Sequence, residues 1–263
     1  MIRHPLLLTA SLGAAAGALG GMMGVGGGIL LVPLLVHLMG ESQHEAQGVS
    51  LAFIIATAAV AVVPYLARER IDFGLAAALA AGALPGVALG ARTARRMSAL
   101  WLRRAFGVAV LVTAIRILVS PPAPGGAVLW AWPVELGLGG AVGFLAGLLG
   151  IGGGTILVPV LTLAQGVPQH AAQGLSLLLI VPVGMVGVVT YARGGKFPAR
   201  LLPGLLLGGA IGGLVGGVAA QAIRGTSLAR MFAVFLLVVS TQMIFGRPRK
   251  RAAAANPAPG GPS

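Results

Sequence analysis

Two short segments carry the same polar residues at the same spacing: QHEAQGVSL at residues 43–51 and QHAAQGLSL at residues 169–177. In each, a glutamine and a serine lie three apart, Gln47 with Ser50 and Gln173 with Ser176. On a helix such a pair shares a face. An amide and a hydroxyl can donate hydrogen bonds to an oxyanion without carrying charge, which suits a ligand that must later be released. The competing use is local, since serine in a membrane helix often bonds its own backbone and glutamine often joins helices. Gly48 and Gly174, between the polar residues, allow close backbone approach.

Upstream of each segment stands a glycine-rich interruption, GMMGVGGGILLVP at 21–33 and GLLGIGGGTILVP at 147–159. Each holds an unbroken triplet, Gly26, Gly27, Gly28 and Gly152, Gly153, Gly154, preceded by Gly24 or Gly150. A glycine weakens a helix interior by roughly 1 kcal/mol relative to alanine. The triplets therefore read as helix breaks, with N–H groups freed at the start of the half-helices Ile29–Val36 and Thr155–Leu161. A helix N-terminus carries partial positive charge and favours anions. Small residues also serve close helix packing in membranes, but a duplicated triplet inside a broken span favours the ligand-facing reading. No GK[ST] follows either segment, so neither is the phosphate loop of a nucleotide hydrolase, and the context of a Rossmann fingerprint is missing too.

His44 and His170 are the matched titratable pair near these segments. Histidine changes charge near neutral pH, which leaves proton coupling open, although a solvated or helix-capping role fits a helix entrance better. The five acids, Glu41, Glu45, Glu69, Asp72 and Glu135, fall in loops or at span ends. No core carboxylate is evident for cation/proton antiport, nor a carboxylate pair for catalysis. With no cysteine and four histidines lacking HExxH-type spacing, neither thiol chemistry nor a metal site is expected, and no cofactor. The chain reads as a non-enzyme.

The elements that must position these residues follow from composition. Of 263 residues 57% are hydrophobic and 9% charged, with mean hydropathy +0.97, against about 25% charged in soluble domains. Apolar runs of spanning length follow one another from Leu6 to Phe245, and a crossing helix needs about 20 apolar residues. The net charge of +13 sits in short loops and in the RPRKR run at 247–251, the positive-inside pattern rather than a nucleic-acid surface. The N-terminus resembles a signal peptide, yet the segment from Leu12 belongs to a repeat, so no cleavage is expected.

Sliding the sequence by 126 residues aligns Leu12–Val119 with Leu138–Phe245 without a gap, and 16 of 28 positions agree over Gly24–Leu51. Residues 1–120 form the first repeat, 121–127 a linker, 128–246 the second repeat, and 247–263 a basic, disordered tail. Each half has a glycine-broken stretch (Leu6–Met39; Val128–Gln165) and three plain spans. The plain spans are Gly48–Leu66, Phe73–Ala91 and Leu102–Val119, then Gly174–Ala192, Leu201–Ala220 and Leu228–Phe245. With the N-terminus cytoplasmic, single crossings of the broken stretches leave 11 of 18 Lys and Arg inside, whereas hairpins leave 13 inside and 5 outside. Hairpins invert the second half and fit the positive-inside rule better. The expected fold is thus an all-α integral membrane protein with about eight membrane helices or hairpin elements in two inverted repeats, the first helix of each broken by glycine. Inverted repeats with broken helices are a recurring plan of secondary transporters, the substrate sitting where the breaks meet; the alternatives are an anion channel with the same site or a membrane scaffold without transport. The arginines at 92–104 read as topology determinants near anionic lipid, with Arg104 and Arg230 drawing anions to the mouths as the lesser reading.

The doubled GxGGGxxxVPxL followed by AxGxSL (GVGGGILLVPLL then AQGVSL, GIGGGTILVPVL then AQGLSL) resembles the TauE/SafE sulfite exporter family, from Leu12 to Phe245. Val49 and Leu175 stand where that family often has threonine. The resemblance implies a multi-pass permease of the bacterial inner membrane moving sulfite, sulfoacetate or related organic anions. The residues expected to hold the anion are Gly24, Gly26, Gly27, Gly28, Gln47 and Ser50, with Gly150, Gly152, Gly153, Gly154, Gln173 and Ser176. His44 and His170 are the candidates for proton coupling. The expected partners are the small anion, the bilayer and protons as coupling ion, with no nucleic acid. A homodimer is compatible with the sequence, and the tail is expected in the cytoplasm.

Overall fold

The computed structural model describes residues 5–41, 43–93, 99–121, 130–149, 152–192 and 199–245. The linker from residue 122 onward and the basic tail lie outside these residues. Among the described residues the chain forms ten α-helices. The first half holds α1 (Pro5–Met23), α2 (Gly28–Leu38), α3 (Gln43–Arg68), α4 (Phe73–Thr93) and α5 (Ala99–Val119). The second holds α6 (Trp132–Leu149), α7 (Gly154–Ala164), α8 (Gln169–Ala192), α9 (Leu202–Gln221) and α10 (Gly225–Phe245). Helices are the natural outcome for so apolar a chain, because a helix satisfies its own backbone where no water can. Seven of them are long and apolar enough to cross a bilayer. The 11-residue helices α2 and α7 are not; at 1.5 Å per residue each reaches about 16 Å, near half the hydrocarbon thickness.

The breaks fall where the glycines predict. Gly27 and Gly153 take left-handed backbone at φ +81° and +75° and open α2 and α7. The other ends also match. Gly40 and Gly166 are left-handed, and the amides of Glu41 and Val167 return to Leu35 O and Leu161 O. One difference from the sequence reading is that α3 and α8 begin at Gln43 and Gln169. The QH–AQG–S segments therefore form the opening turns of long helices.

The halves interlock along glycine seams. A Cβ added at Gly82, Gly86 or Gly90 of α4 would strike the carbonyl oxygen of Leu136, Gly140 or Phe144 on α6. The matched seam sets Gly208, Gly212 and Gly216 of α9 against the carbonyls of Ala10, Ala14 and Ala18 on α1. Without a hydrophobic driving force between helices in lipid, such close backbone approach supplies the packing. The outer faces are apolar and exposed, as at Leu207, Ile211 and Val215 of α9, which suits acyl chains.

Helix directions follow from these contacts. Residues 10, 14 and 18 meet 208, 212 and 216, so α1 and α9 run parallel. Gly209, Gly213 and Gly217 of α9 lie on Phe53, Thr57 and Ala61, so α3 runs the same way. Because α1 and α3 share a direction, the broken stretch between them turns back toward the face it came from, which is the hairpin arrangement. Gly174 at the start of α8 lies on Tyr65 late in α3, and Gly187 lies on Leu51, so these matched helices are antiparallel. Gly107 near the middle of α5 lies on Ser240, Met243 and Ile244 of α10. The matched helices α3 and α8 thus point in opposite directions.

Candidate functional site

The two glycine turns meet inside the bundle. Space at Gly154 is bounded by Gly24 O and Val25 Cα, which an added Cβ would meet at 2.7 and 2.9 Å. Gly24, at φ +73°, lies on Gln173 of α8. Gly26 and Gly152, at φ +71° and +83°, are both walled by Ile54 and Ile180. Every described residue of the two turns is buried. Left-handed backbone at consecutive positions is strained for any residue with a Cβ, so the triplets are required by conformation as well as by space.

The turns organise their backbone groups into two caps. Gly20 O accepts from the amides of Val25 and Gly26 at 2.9 and 3.1 Å, and Gly27 O accepts from Leu30 and Leu31. Gly153 O accepts from Ile156 and Leu157 at 3.0 Å each. No side chain of the described residues caps either half-helix. The N–H groups of Gly28 and Ile29, and of Gly154 and Thr155, have no acceptor among the described residues. These are the positive ends of two half-helices, buried and close together, the arrangement that favours an anion.

Comparison with known proteins decides the family. The profile described as "Sulfite exporter TauE/SafE" matches residues 9–243. The chain belongs to the sulfite exporter TauE/SafE family. It is 25% identical over 264 residues to the probable membrane transporter protein YunE of Bacillus subtilis, covering 89% of this chain and 95% of that one. A probable membrane transporter protein of Xylella fastidiosa is 26% identical over 253 residues, 93% and 97% of the two chains. One of Haemophilus influenzae is 27% identical over 259 residues, 90% and 97%. No solved structure matches significantly. With the helical architecture above, this TauE/SafE chain is a multi-pass membrane transporter, and its lipid bilayer and small substrate follow from that.

The polar residues singled out in the sequence gather around the turns, and several of their donors are already engaged. Ser50 Oγ donates to Gly28 O at 3.1 Å, within the first half. Ser176 Oγ donates to Gly24 O at 2.6 Å, across the halves. Gln47 Nε2 donates to Leu149 O at 3.3 Å, again across the halves. Both serines and Gln173 are fully buried. Gln173 Oε1 stands 3.4 Å from the Tyr65 hydroxyl, and its Nε2 is buried with no partner among the described residues. His170 sits away from the turns: its Nε2 lies 3.1 Å from the carbonyls of both Ala220 and Ile223 at the end of α9, so it caps that helix. Gly150 and the side chain of His44 lie outside the described residues.

Sequence reasoning passed over four positions. Ile54 and Ile180, themselves 126 residues apart, wall both turns, but apolar identity in an apolar chain carries no signal of its own. Tyr65 donates to Gly21 O at 2.9 Å and lies 3.2 Å from Met22 O, tying the end of α3 to the end of α1; its match with Tyr191 was the available clue. Thr155 opens α7 with a buried Oγ1 that has no partner among the described residues, where the first half has Ile29. Glu135 does lie at a span end, in the first turn of α6, yet it is 3% exposed.

Proposed function

We propose that this TauE/SafE protein is a secondary permease of the bacterial inner membrane that carries a small oxyanion, sulfite or an organosulfonate such as sulfoacetate, by alternating access. In this reading residues 1–120 and 128–246 are the two inverted halves, 121–127 links them, and the 247–263 tail is cytoplasmic. The observation that carries the reading is the buried meeting of two left-handed glycine turns, each opening a half-helix whose first N–H groups have no acceptor among the described residues. Gln173 Nε2 and Thr155 Oγ1, both buried and unpartnered among the described residues, supply neutral donors nearby. Ser50 and Ser176 fix the turn carbonyls, and Gln47 ties α3 to the end of α6. All of these donors are uncharged, so the anion is attracted by oriented dipoles and is not trapped by a fixed cation.

An asymmetry between the halves supports the alternating step. Helix α9 packs closely on α3, whereas the matched contact of α4 on α8 is sparser. Beside it an apolar cleft of about 500 Å³ opens between α3, α4 and α8, lined by residues including Val62, Phe73, Leu179 and Pro182. Exchanging the two arrangements closes α4 on α8 and loosens α9 from α3, giving the second state of a symmetric pair. The test is counterflow: proteoliposomes loaded with unlabelled sulfite are diluted into a trace of ³⁵S-sulfite. A carrier transiently concentrates the label above its external level, and sulfoacetate inside competes. Label that only equilibrates identifies a channel, and no flux of sulfite or sulfonate rejects the substrate class.

A further inference from the structure

Glu135 has a feature that anion movement through the turns does not use. Its Oε1 accepts from the Trp130 amide at 3.0 Å and from Gln165 Nε2 at 2.6 Å. Its second oxygen, Oε2, is buried with no partner among the described residues. Gln165, 1% exposed, is the C-cap of α7, and its own carbonyl Oε1 is also buried with no partner among the described residues. The ion pair found among the described residues, Arg200 with Glu41, is elsewhere, and residues 122–129 beside Trp130 carry no charged side chain. Among the described residues this buried carboxylate is therefore held by neutral donors, with two acceptor oxygens left over, at the negative end of a half-helix. Burying such a charge is costly unless a positive partner arrives.

The geometry points to a sodium-ion site formed by Glu135 Oε2 and Gln165 Oε1 at the C-terminal end of α7. The donors are oxygens only, which suits a hard cation. A single carboxylate neutralises a monovalent ion, whereas a divalent ion would leave uncompensated charge in a buried place. Ends of half-helices supply coupling-ion sites in transporters generally. The first half lacks the set, because the matched residues are Thr9 and Met39, so the site occurs once and at one end of the bundle. Sodium binding stands independently of the anion reading; only its role as the coupling ion rests on that reading.

Trp130 and Trp132, two of the three tryptophans, lie five and three residues before Glu135 in the chain, so their emission reports on the site. The full-length protein in detergent is titrated with NaCl against choline chloride at constant ionic strength. A saturable emission change with sodium is expected, and E135Q raises its midpoint at least about tenfold, with Q165L also raising it. E41Q, which alters the carboxylate of the Arg200 pair, leaves the midpoint unchanged. Helical circular dichroism and gel filtration establish that E135Q is folded. The assignment is overturned by the absence of a saturable sodium response, by an unaltered response in E135Q, or by an equal response to potassium. A response that follows pH instead of sodium overturns it as well. Loss of counterflow with an intact titration rejects the anion reading alone.

Discussion

Replacing Gly27 by alanine tests whether the first turn must keep its left-handed form. Two costs add at this position. A residue with a Cβ at φ +81° is disfavoured by roughly 1–2 kcal/mol. The new Cβ would also strike Ala16 O and stand 3.1 Å from Phe53 Cε1, and overpacking of this kind adds about 1–3 kcal/mol. Together they give G27A a destabilisation of about 2–5 kcal/mol. Gly40 is the control: it has φ +71°, is exposed, and has nothing among the described residues within 4 Å of an added Cβ. G40A therefore carries only the backbone term of roughly 1–2 kcal/mol. G26A falls between, because its Cβ would lie 3.2 Å from Ile54 Cβ. Reversible unfolding in mixed micelles measures the order, and uptake per folded protein in proteoliposomes measures the consequence. G40A keeps uptake and G27A loses it. If G27A is no less stable than G40A, or takes up substrate at the wild-type rate, the turn does not do what its geometry implies.

Three further outcomes are expected. S176A removes the 2.6 Å bond to Gly24 O between the halves and lowers stability by about 1–2 kcal/mol, more than S50A, whose 3.1 Å bond stays within one half; unfolding of the two variants measures the difference. H170Q retains a donor for the end of α9 and keeps both uptake and its pH profile, and a flattened profile would show that His170 moves protons. Single cysteines at Gln43 and Gln169, introduced into this cysteine-free chain, label from opposite faces of the membrane; labelling from one face contradicts the inversion.

Much of the architecture was legible because the polar and glycine residues of the two copies agree at one offset, and because a membrane chain declares its spans by composition. The glycine triplets announced the breaks, and counting basic residues favoured the hairpin arrangement that the parallel course of α1 and α3 now displays. What the pattern did not contain was the partner of each donor. Ser50 and Ser176 look alike in the sequence, yet one bonds its own half and the other bonds across, which depends on how the half-helices cross. Glu135 looked like an ordinary span-end acid, and only the return of α7 to bring Gln165 beside it buries the carboxylate. His170 likewise resolved into a cap because the end of α9, some 50 residues on, comes to meet it. Local spacing names candidate chemistry; long-range packing decides which atoms stay free.

The proposed path takes the transported anion between the two glycine turns, and Ile54 is placed to report it. Fully buried, it walls both Gly26 and Gly152. An I54C variant in proteoliposomes, treated with a small membrane-impermeant methanethiosulfonate reagent, gives a direct readout as the site opens to water. The expected result is slow but measurable labelling that a transported sulfonate retards in proportion to its occupancy, while chloride at the same concentration does not. A cysteine that stays inert in protein still transporting, or one whose labelling ignores the transported anion, contradicts the claim.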